Sequence, residues 1–278
     1  MDRPQVTATP ALPLAPWPYP RWVAHRGAGK LAPENTLAAF RLGASWGYRA
    51  FECDVKLSAD GVPFLLHDAT LERTAGSTGA AGDRPWAELS RLDAGSWHSP
   101  GFAGEPLPTL QAIAAFVLRN GYQLNIEIKP TPGAEALTGR VVAEQAAQLW
   151  AAHDARAHIG STGPTGQPEA TRAVLPLLSS FRPDALWAAK AAAPHLPRAL
   201  LLDSLWPGWA QVAMSLGCVA IVTHHRLMDH ALLAQAHAAG WRALVYTVNE
   251  PDDAGRLIDL GIDGIITDAV DRFPPTLG

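Results

Sequence analysis

Four short clusters hold residue types that act together on phosphates: His25-Arg26-Gly27, Glu52-Cys53-Asp54, His67-Asp68 and Glu127-Ile128-Lys129. Glu52, Asp54 and Glu127 offer hard carboxylate oxygens suited to one Mg²⁺ or Ca²⁺, without the thiolates or paired imidazoles that favour zinc. Imidazoles titrate near neutral pH, so His25 and His67 are candidates for the base and acid of a displacement. Arg26 and Lys129 are cations of the kind that flank a phosphate. The combination describes metal-assisted attack at phosphorus. The plainer alternatives are three solvated acids on a rim, two structural histidines, and two cations that only neutralise the acids.

Each cluster ends an apolar run, which points to the elements that position it. Nine such runs occur: Trp22 to Ala24, Ala50 to Val55, Phe64 to Leu66, Gln123 to Ile128, Leu175 to Phe181, Arg198 to Leu202, Val219 to Thr223, Ala243 to Val248 and Gly264 to Thr267. Alanine- and leucine-rich amphipathic stretches alternate with them, the pattern of repeated βα units around a parallel sheet. Pro33-Glu34-Asn35-Thr36 offers a cap for the first helix, and Gly47 lies past its end.

Nine strands are one more than a barrel of eight requires, and the connection from Val55 to Phe64 is too short for a parallel crossover of about a dozen residues. Asp60-Gly61 reads instead as a two-residue hairpin turn. With Ala59 facing Val62, His67 falls opposite Asp54, so a local reversal returns an imidazole to the acids. Strand alternation places Glu52 and Asp54 on one face, and Glu127 and Lys129 likewise, while Phe51, Cys53, Val55, Ile126 and Ile128 face helices. Buried charges need partners, so the polar face belongs inside the barrel near its mouth.

Composition bounds the function. The 278 residues suit one α/β barrel, with residues 21–278 as the domain and 1–20 as a disordered or loosely packed leader, pinned where Trp17 and Tyr19 meet the barrel floor. Residues 68–108, rich in glycine and carrying Trp86 and Trp97, form a small insertion over the barrel mouth, with Trp97 a candidate pocket wall. The stretch from His158 to Gln167 reads as an irregular segment. A formal net charge of −4 gives no basic surface for nucleic acid or anionic lipid. No run approaches the roughly 20 apolar residues of a membrane span. The leader lacks the plan of a secretory signal, and two cysteines form no disulfide framework, so a cytoplasmic protein without stable membrane association is expected.

Weaker candidates lie late in the chain. Adjacent His224 and His225 are expected to point opposite ways, so at most one faces the pocket. Thr247, Asn249, Thr267 and Asp268 end the last two strands, where they would bind substrate hydroxyls, with capping of the following helix the alternative for Asn249 and Asp268.

At these clusters the chain resembles the glycerophosphodiester phosphodiesterase family, in its short cytoplasmic bacterial type. The matching stretches include His25-Arg26-Gly27, Pro33 to Thr36, Glu52 to Val55, Asp60-Gly61, His67-Asp68 through Leu71 to Thr74, Pro108 to Leu110, Glu127 to Lys129, Thr247 to Asn249 and Gly261 to Asp268. The resemblance implies a TIM (β/α)8 barrel with a small insertion after the second barrel strand's hairpin. It also implies a divalent cation on Glu52, Asp54 and Glu127, acid–base His25 and His67, and Arg26 and Lys129 facing the phosphate. Implied substrates are small glycerophosphodiesters such as glycerophosphocholine and glycerophosphoethanolamine, cleaved to glycerol 3-phosphate and an alcohol. A lyase-like phospholipase releasing a cyclic phosphate and a silent phosphate-binding barrel are the competing readings. Tyr246 stands where the family often has tryptophan, and alternation is expected to turn it toward the helices.

Overall fold

The computed structural model of the chain describes residues 14, 16–160 and 172–275. Eight parallel strands close into a barrel: β1 (Trp22–Ala24), β2 (Ala50–Leu57), β4 (Gln123–Ile128), β5 (Leu177–Ser180), β6 (Arg198–Leu202), β7 (Ala220–His224), β8 (Arg242–Tyr246) and β9 (Gly264–Thr267). Parallel pairing of β1 with both β2 and β9 completes the ring. The ninth strand, β3 (Pro63–Leu65), pairs antiparallel with β2 outside it. The expected TIM barrel is therefore the observed fold.

Helices α1 (Leu37–Ser45), α3 (Leu110–Arg119), α4 (Glu135–Gly160), α5 (Pro183–Ala192), α6 (Trp209–Leu216), α7 (His230–Ala238) and α8 (Pro251–Leu260) connect the barrel strands. Thr36 caps α1, its Oγ1 accepting from Ala39 N at 3.2 Å. The stretch expected to be irregular starts inside α4, which runs to Gly160, and its remainder lies outside the described residues.

Alternation along the strands divides the core in two. Phe51, Cys53, Val55, Ile126 and Ile128 pack outward among helix side chains such as Phe40, Ile113 and Val142. Val23, Ala50, Leu177, Leu201, Val222, Leu244 and Ile266 fill the barrel. Trp17 and Tyr19 plug its floor with ring centroids 4.6 Å apart, and the Tyr19 hydroxyl donates to Leu175 O at 2.7 Å. This is the contact expected of the leader.

The hairpin register differs from the expected one by a single residue. Ser58, not Ala59, faces Val62, so Asp54 faces Leu66 and the loop has three residues, Ala59-Asp60-Gly61. A first turn closed by Gly61 N donating to Ser58 O, followed by Gly61 at φ +79°, is the three-residue solution that Asp60-Gly61 also permits. His67 still reaches the mouth, for a different reason: pairing ends at Leu66 and the chain bends at His67-Asp68, releasing the ring from strand alternation.

Residues 68–108 include α2 (Trp86–Leu89) and bury Leu71, Ala75, Ala81, Leu89, Ala94 and Leu107 against Phe64 and Leu66 of the hairpin. Glu105 accepts from Ala38 N at 3.0 Å, and His98 Nε2 lies 3.0 Å from Lys30 O, tying the segment to the chain after β1. Among the described residues no helix is long and apolar enough to cross a membrane.

Candidate active site

Glu52 and Asp54 of β2, Asn125 and Glu127 of β4 and Ser179 of β5 point into the barrel near the strands' carboxyl ends, where barrel enzymes place their chemistry. A cavity of about 180 Å³ is lined by His25, Arg26, Glu52, His67, Glu127, Lys129, Phe181 and Tyr246, among others. Six of the seven site residues expected from sequence line it. The seventh, Asp54, is buried beside it, with Lys129 Nζ 3.4 Å from Oδ1 and Arg26 Nε 3.3 Å from Oδ2.

Ligand atoms of Glu52, Asp54 and Glu127 lie within 4.8 Å of one another, the one such group among the described residues. Glu52 Oε1 and Asp54 Oδ1 are buried and accept no hydrogen bond. The Lys129 ammonium stands 3.4 Å from Asp54 Oδ1, but Glu52 Oε1 has no such partner, and a buried carboxylate oxygen is costly unless something positive meets it, so this donor set fits a hard divalent cation. Burial, then Asp54 and Glu127, push the Glu52 carboxyl well above its ordinary range. Burial and Asp54 raise Glu127 to about 7. Asp54 moves the other way: burial opposes its charge, but Lys129 and Arg26 hold it ionised below the usual carboxylate range.

Arg26 reaches the cage through an unusual backbone, at φ +50°. Its N–H donates to Glu52 Oε2 at 3.1 Å, and its carbonyl accepts from the N–H of Asn35, itself at φ +60°. Such left-handed conformations cost a non-glycine residue about 1 kcal/mol or more and persist where surrounding contacts hold them. Asn35 is one such contact, its Nδ2 donating to Asp54 Oδ2 at 2.8 Å while its Oδ1 accepts from Asp54 N at 3.0 Å. Burial works against the Arg26 cation, and the acids Asp54, Glu34 and Glu52 more than compensate.

His25 Nδ1 lies 2.6 Å from Asp268 Oδ1, and Arg26 Nε donates to His25 Nε2 at 3.2 Å. With a donor on Nε2, the ring proton sits on Nδ1, facing the carboxylate. Asn249 in turn fixes Asp268: its Nδ2 donates to Asp268 Oδ2 at 3.2 Å and its Oδ1 accepts from Asp268 N at 2.9 Å. Asn249 and Asp268 therefore serve His25, while Thr247 lines the cavity. The residue preceding α8 is Glu250, without a side-chain cap bond. His67 Nδ1 lies 2.7 Å from Asp68 Oδ1, and burial with the nearby Arg26 and Lys129 lowers its pKa despite Asp54 and Asp68.

Sequence reasoning missed Glu34 and Asn35, read as a cap, and Lys56, a third cation on the face of Glu52 and Asp54. Lys56 is 2% exposed and donates from Nζ to Lys129 O at 3.1 Å; burial and Lys129 lower its pKa to about 8. Counting two residues on from Asp54 would have found it. Tyr246 is a correction: it faces the cavity, because Ala243 and Val245 are the outward residues of β8. Its ring meets Phe181 edge-on at 5.7 Å, and its hydroxyl donates to Leu202 O at 3.2 Å. His224 and His225 do not diverge either. The strand ends at His224, and the rings stack with centroids 4.7 Å apart, lining none of this cavity. Trp97 stands outside the cavity under Arg73.

A barrel whose strand ends gather a carboxylate cage, two cations and two oriented imidazoles defines a phosphate-processing enzyme of the TIM-barrel class. Residues 25–272 match the model of the Glycerophosphoryl diester phosphodiesterase family, and the chain belongs to that family. It is 30% identical over 251 residues to a glycerophosphodiester phosphodiesterase of Caldanaerobacter subterraneus, covering 88% of this chain and 93% of that protein. A probable glycerophosphodiester phosphodiesterase of Mycobacterium tuberculosis is 31% identical over 92% of this chain and 89% of its own. Among solved structures, an Oleispira antarctica phosphodiesterase in complex with the product sn-glycerol-3-phosphate superposes with a TM-score of 0.80 at 32% identity, covering 93% of this chain and 95% of that one.

Proposed function

We propose that this chain hydrolyses small glycerophosphodiesters, glycerophosphocholine and glycerophosphoethanolamine being typical, to glycerol 3-phosphate and the free alcohol. The observation that carries the reading is the cage of Glu52, Asp54 and Glu127, with two undonated oxygens, sharing a mouth with His25, His67, Arg26 and Lys129.

In this reading Glu52, Asp54 and Glu127 hold one divalent cation, Mg²⁺ or Ca²⁺, which supplies Lewis acidity toward the phosphate oxygens. Arg26 and Lys129 bind the phosphodiester anion and withdraw charge from it. His25 is the base. Asp268 keeps its proton on Nδ1, and once the phosphate draws the Arg26 guanidinium off Nε2, that lone pair accepts a proton from the attacking hydroxyl, whether of water or of the substrate's glycerol. As the new oxygen–phosphorus bond forms, the bond to the alcohol breaks and the departing oxygen takes a proton from His67; after attack by the glycerol hydroxyl, water opens the cyclic phosphate with the two imidazoles in exchanged roles, giving the same monoester. Asp68 aligns that ring and favours its protonated form. Residues 21–278 act as one catalytic domain, with 68–108 forming one side of the mouth.

The test is phosphorus NMR of glycerophosphocholine incubated with protein and Mg²⁺ or Ca²⁺, with and without chelator. Monoester formation that the chelator abolishes is expected. A persistent cyclic phosphate would assign a lyase, and no turnover of any diester a binding barrel.

A further inference from the structure

Arg73 lies in the segment after β3 and belongs to neither the cage nor the cavity lining, yet its guanidinium makes four short hydrogen bonds. Nε and Nη2 donate to Asp68 Oδ2 and Oδ1 at 2.6 and 2.9 Å, while Nη1 and Nη2 donate to Glu34 Oε2 and Oε1 at 2.7 and 2.8 Å. Its Cζ lies over the Trp97 ring, 5.9 Å from the centroid. Asp68 Oδ1 also meets His67 Nδ1, and Glu34 Oε1 also accepts from Arg26 Nη1 at 2.9 Å. A single group thus holds both oxygens of the acid behind His67 and both oxygens of the acid behind Arg26.

Ordinary exposed ion pairs contribute little, since two flexible side chains must be ordered in water. This one differs in geometry: the guanidinium fork is engaged on two sides by two carboxylates and lies over an aromatic ring, so its orientation is defined. We propose that Arg73 is a positioning residue that couples the two halves of the site, fixing Asp68 so that His67 keeps its aim and holding Glu34 so that it does not compete with phosphate for Arg26. The inference rests on the phosphodiesterase reading. It makes order in residues 68–108 a condition for activity.

Without Arg73, Glu34 keeps Arg26 as its remaining cationic partner and draws that guanidinium from the anion, while Asp68 is free to turn. Arg73→Gln is expected to lower kcat/KM about 10- to 100-fold, the usual cost of losing such an outer support. It should also weaken binding of inorganic phosphate, measured by calorimetry. Arg73→Lys, whose ammonium lacks the fork, should recover a minor part. Arg84→Gln, in the same segment but bonded to Thr78 O, should match wild type. In a Glu34→Gln, Asp68→Asn background, adding Arg73→Gln should cost nothing more, because the groups it acts through are gone. Wild-type kcat/KM and phosphate affinity in Arg73→Gln, full rescue by lysine, or an undiminished loss in that background would each overturn the coupling. Inactivity of the wild type toward glycerophosphodiesters would instead defeat the functional reading, and phosphate affinity would still report on Arg73.

Discussion

His25 and Asp268 stand 243 positions apart in the chain and 2.6 Å apart in the fold. The contact follows from closure of the barrel: β1 pairs with β9, Ala24 beside Thr267, so the next residue of each strand emerges at the same point of the rim. The carboxylate sets the tautomer of the imidazole, and Asn249 sets the carboxylate.

Asp268→Asn should therefore keep the fold and lose the chemistry. The amide can donate to Nδ1 and stabilise the wrong tautomer, and a comparable substitution behind a catalytic histidine costs about 10⁴ in kcat. We expect a fall of about 10²- to 10⁴-fold with a melting temperature within a few degrees of wild type. A variant within threefold of wild type would show that Asp268 does not orient the base.

The histidines themselves give a paired prediction. His25→Ala and His67→Ala should each lower kcat by about 10²-fold or more, the scale of general acid–base catalysis, while leaving thermal unfolding nearly unchanged. Both rings are partly exposed at the mouth, so their removal opens no core cavity. Substantial turnover in either variant would refute the paired assignment.

Much of this was legible in the chain because alternation is strict within strands. Glu52 with Asp54, and Glu127 with Lys129, had to share a face once their neighbours were apolar. Legibility failed where the backbone leaves the strand. Arg26 and Asn35 bond to the cage through left-handed turns that no periodicity announces. Asp60-Gly61 admitted two loop lengths, and the three-residue one shifted the register. Tyr246 was misplaced because β8 ends there: Thr247, which alternation would put on the opposite face, lies beyond the strand and lines the same cavity, leaving Leu244 and Tyr246 inward. Asp268 looked like a cap because its partner sits at the opposite end of the sequence.

Gly29 supplies a prediction of a different kind. At φ +57°, a Cβ there would lie 2.0 Å from Asp268 O, and Lys30 N donates to that same carbonyl at 3.1 Å. Gly29→Ala should force the Asp268 turn away from His25, costing roughly 2–4 kcal/mol of stability and a larger share of kcat than the stability loss accounts for. Gly61→Ala is the comparison, since it shares the left-handed backbone but meets nothing within 4 Å. It should show the smaller strain cost and near wild-type kcat. Equal effects of the two substitutions on kcat would remove the close approach as the reason.

Metal binding should be linked to protons through Glu127. Its folded pKa, about 7, lies above the ordinary 4.5, so in the metal-free protein its contribution to stability is fully present below about pH 4.5 and is lost as pH rises through about 7. Glu52 shifts the same way. A divalent cation needs these groups ionised and so must displace protons, making its affinity climb about tenfold or more per pH unit below 7 and less steeply above, once Glu127 is ionised. The gain in melting temperature on adding Mg²⁺ or Ca²⁺ should accordingly be larger at pH 8 than at pH 5.5. Glu127→Gln should weaken cation affinity and flatten this slope while leaving the metal-free protein as stable as wild type or more so at pH 8, because it removes a buried charge beside Asp54. Calorimetric titrations between pH 5.5 and 8 check both points. A wild-type affinity independent of pH, or an unchanged affinity in Glu127→Gln, would take Glu127 out of the ligand set.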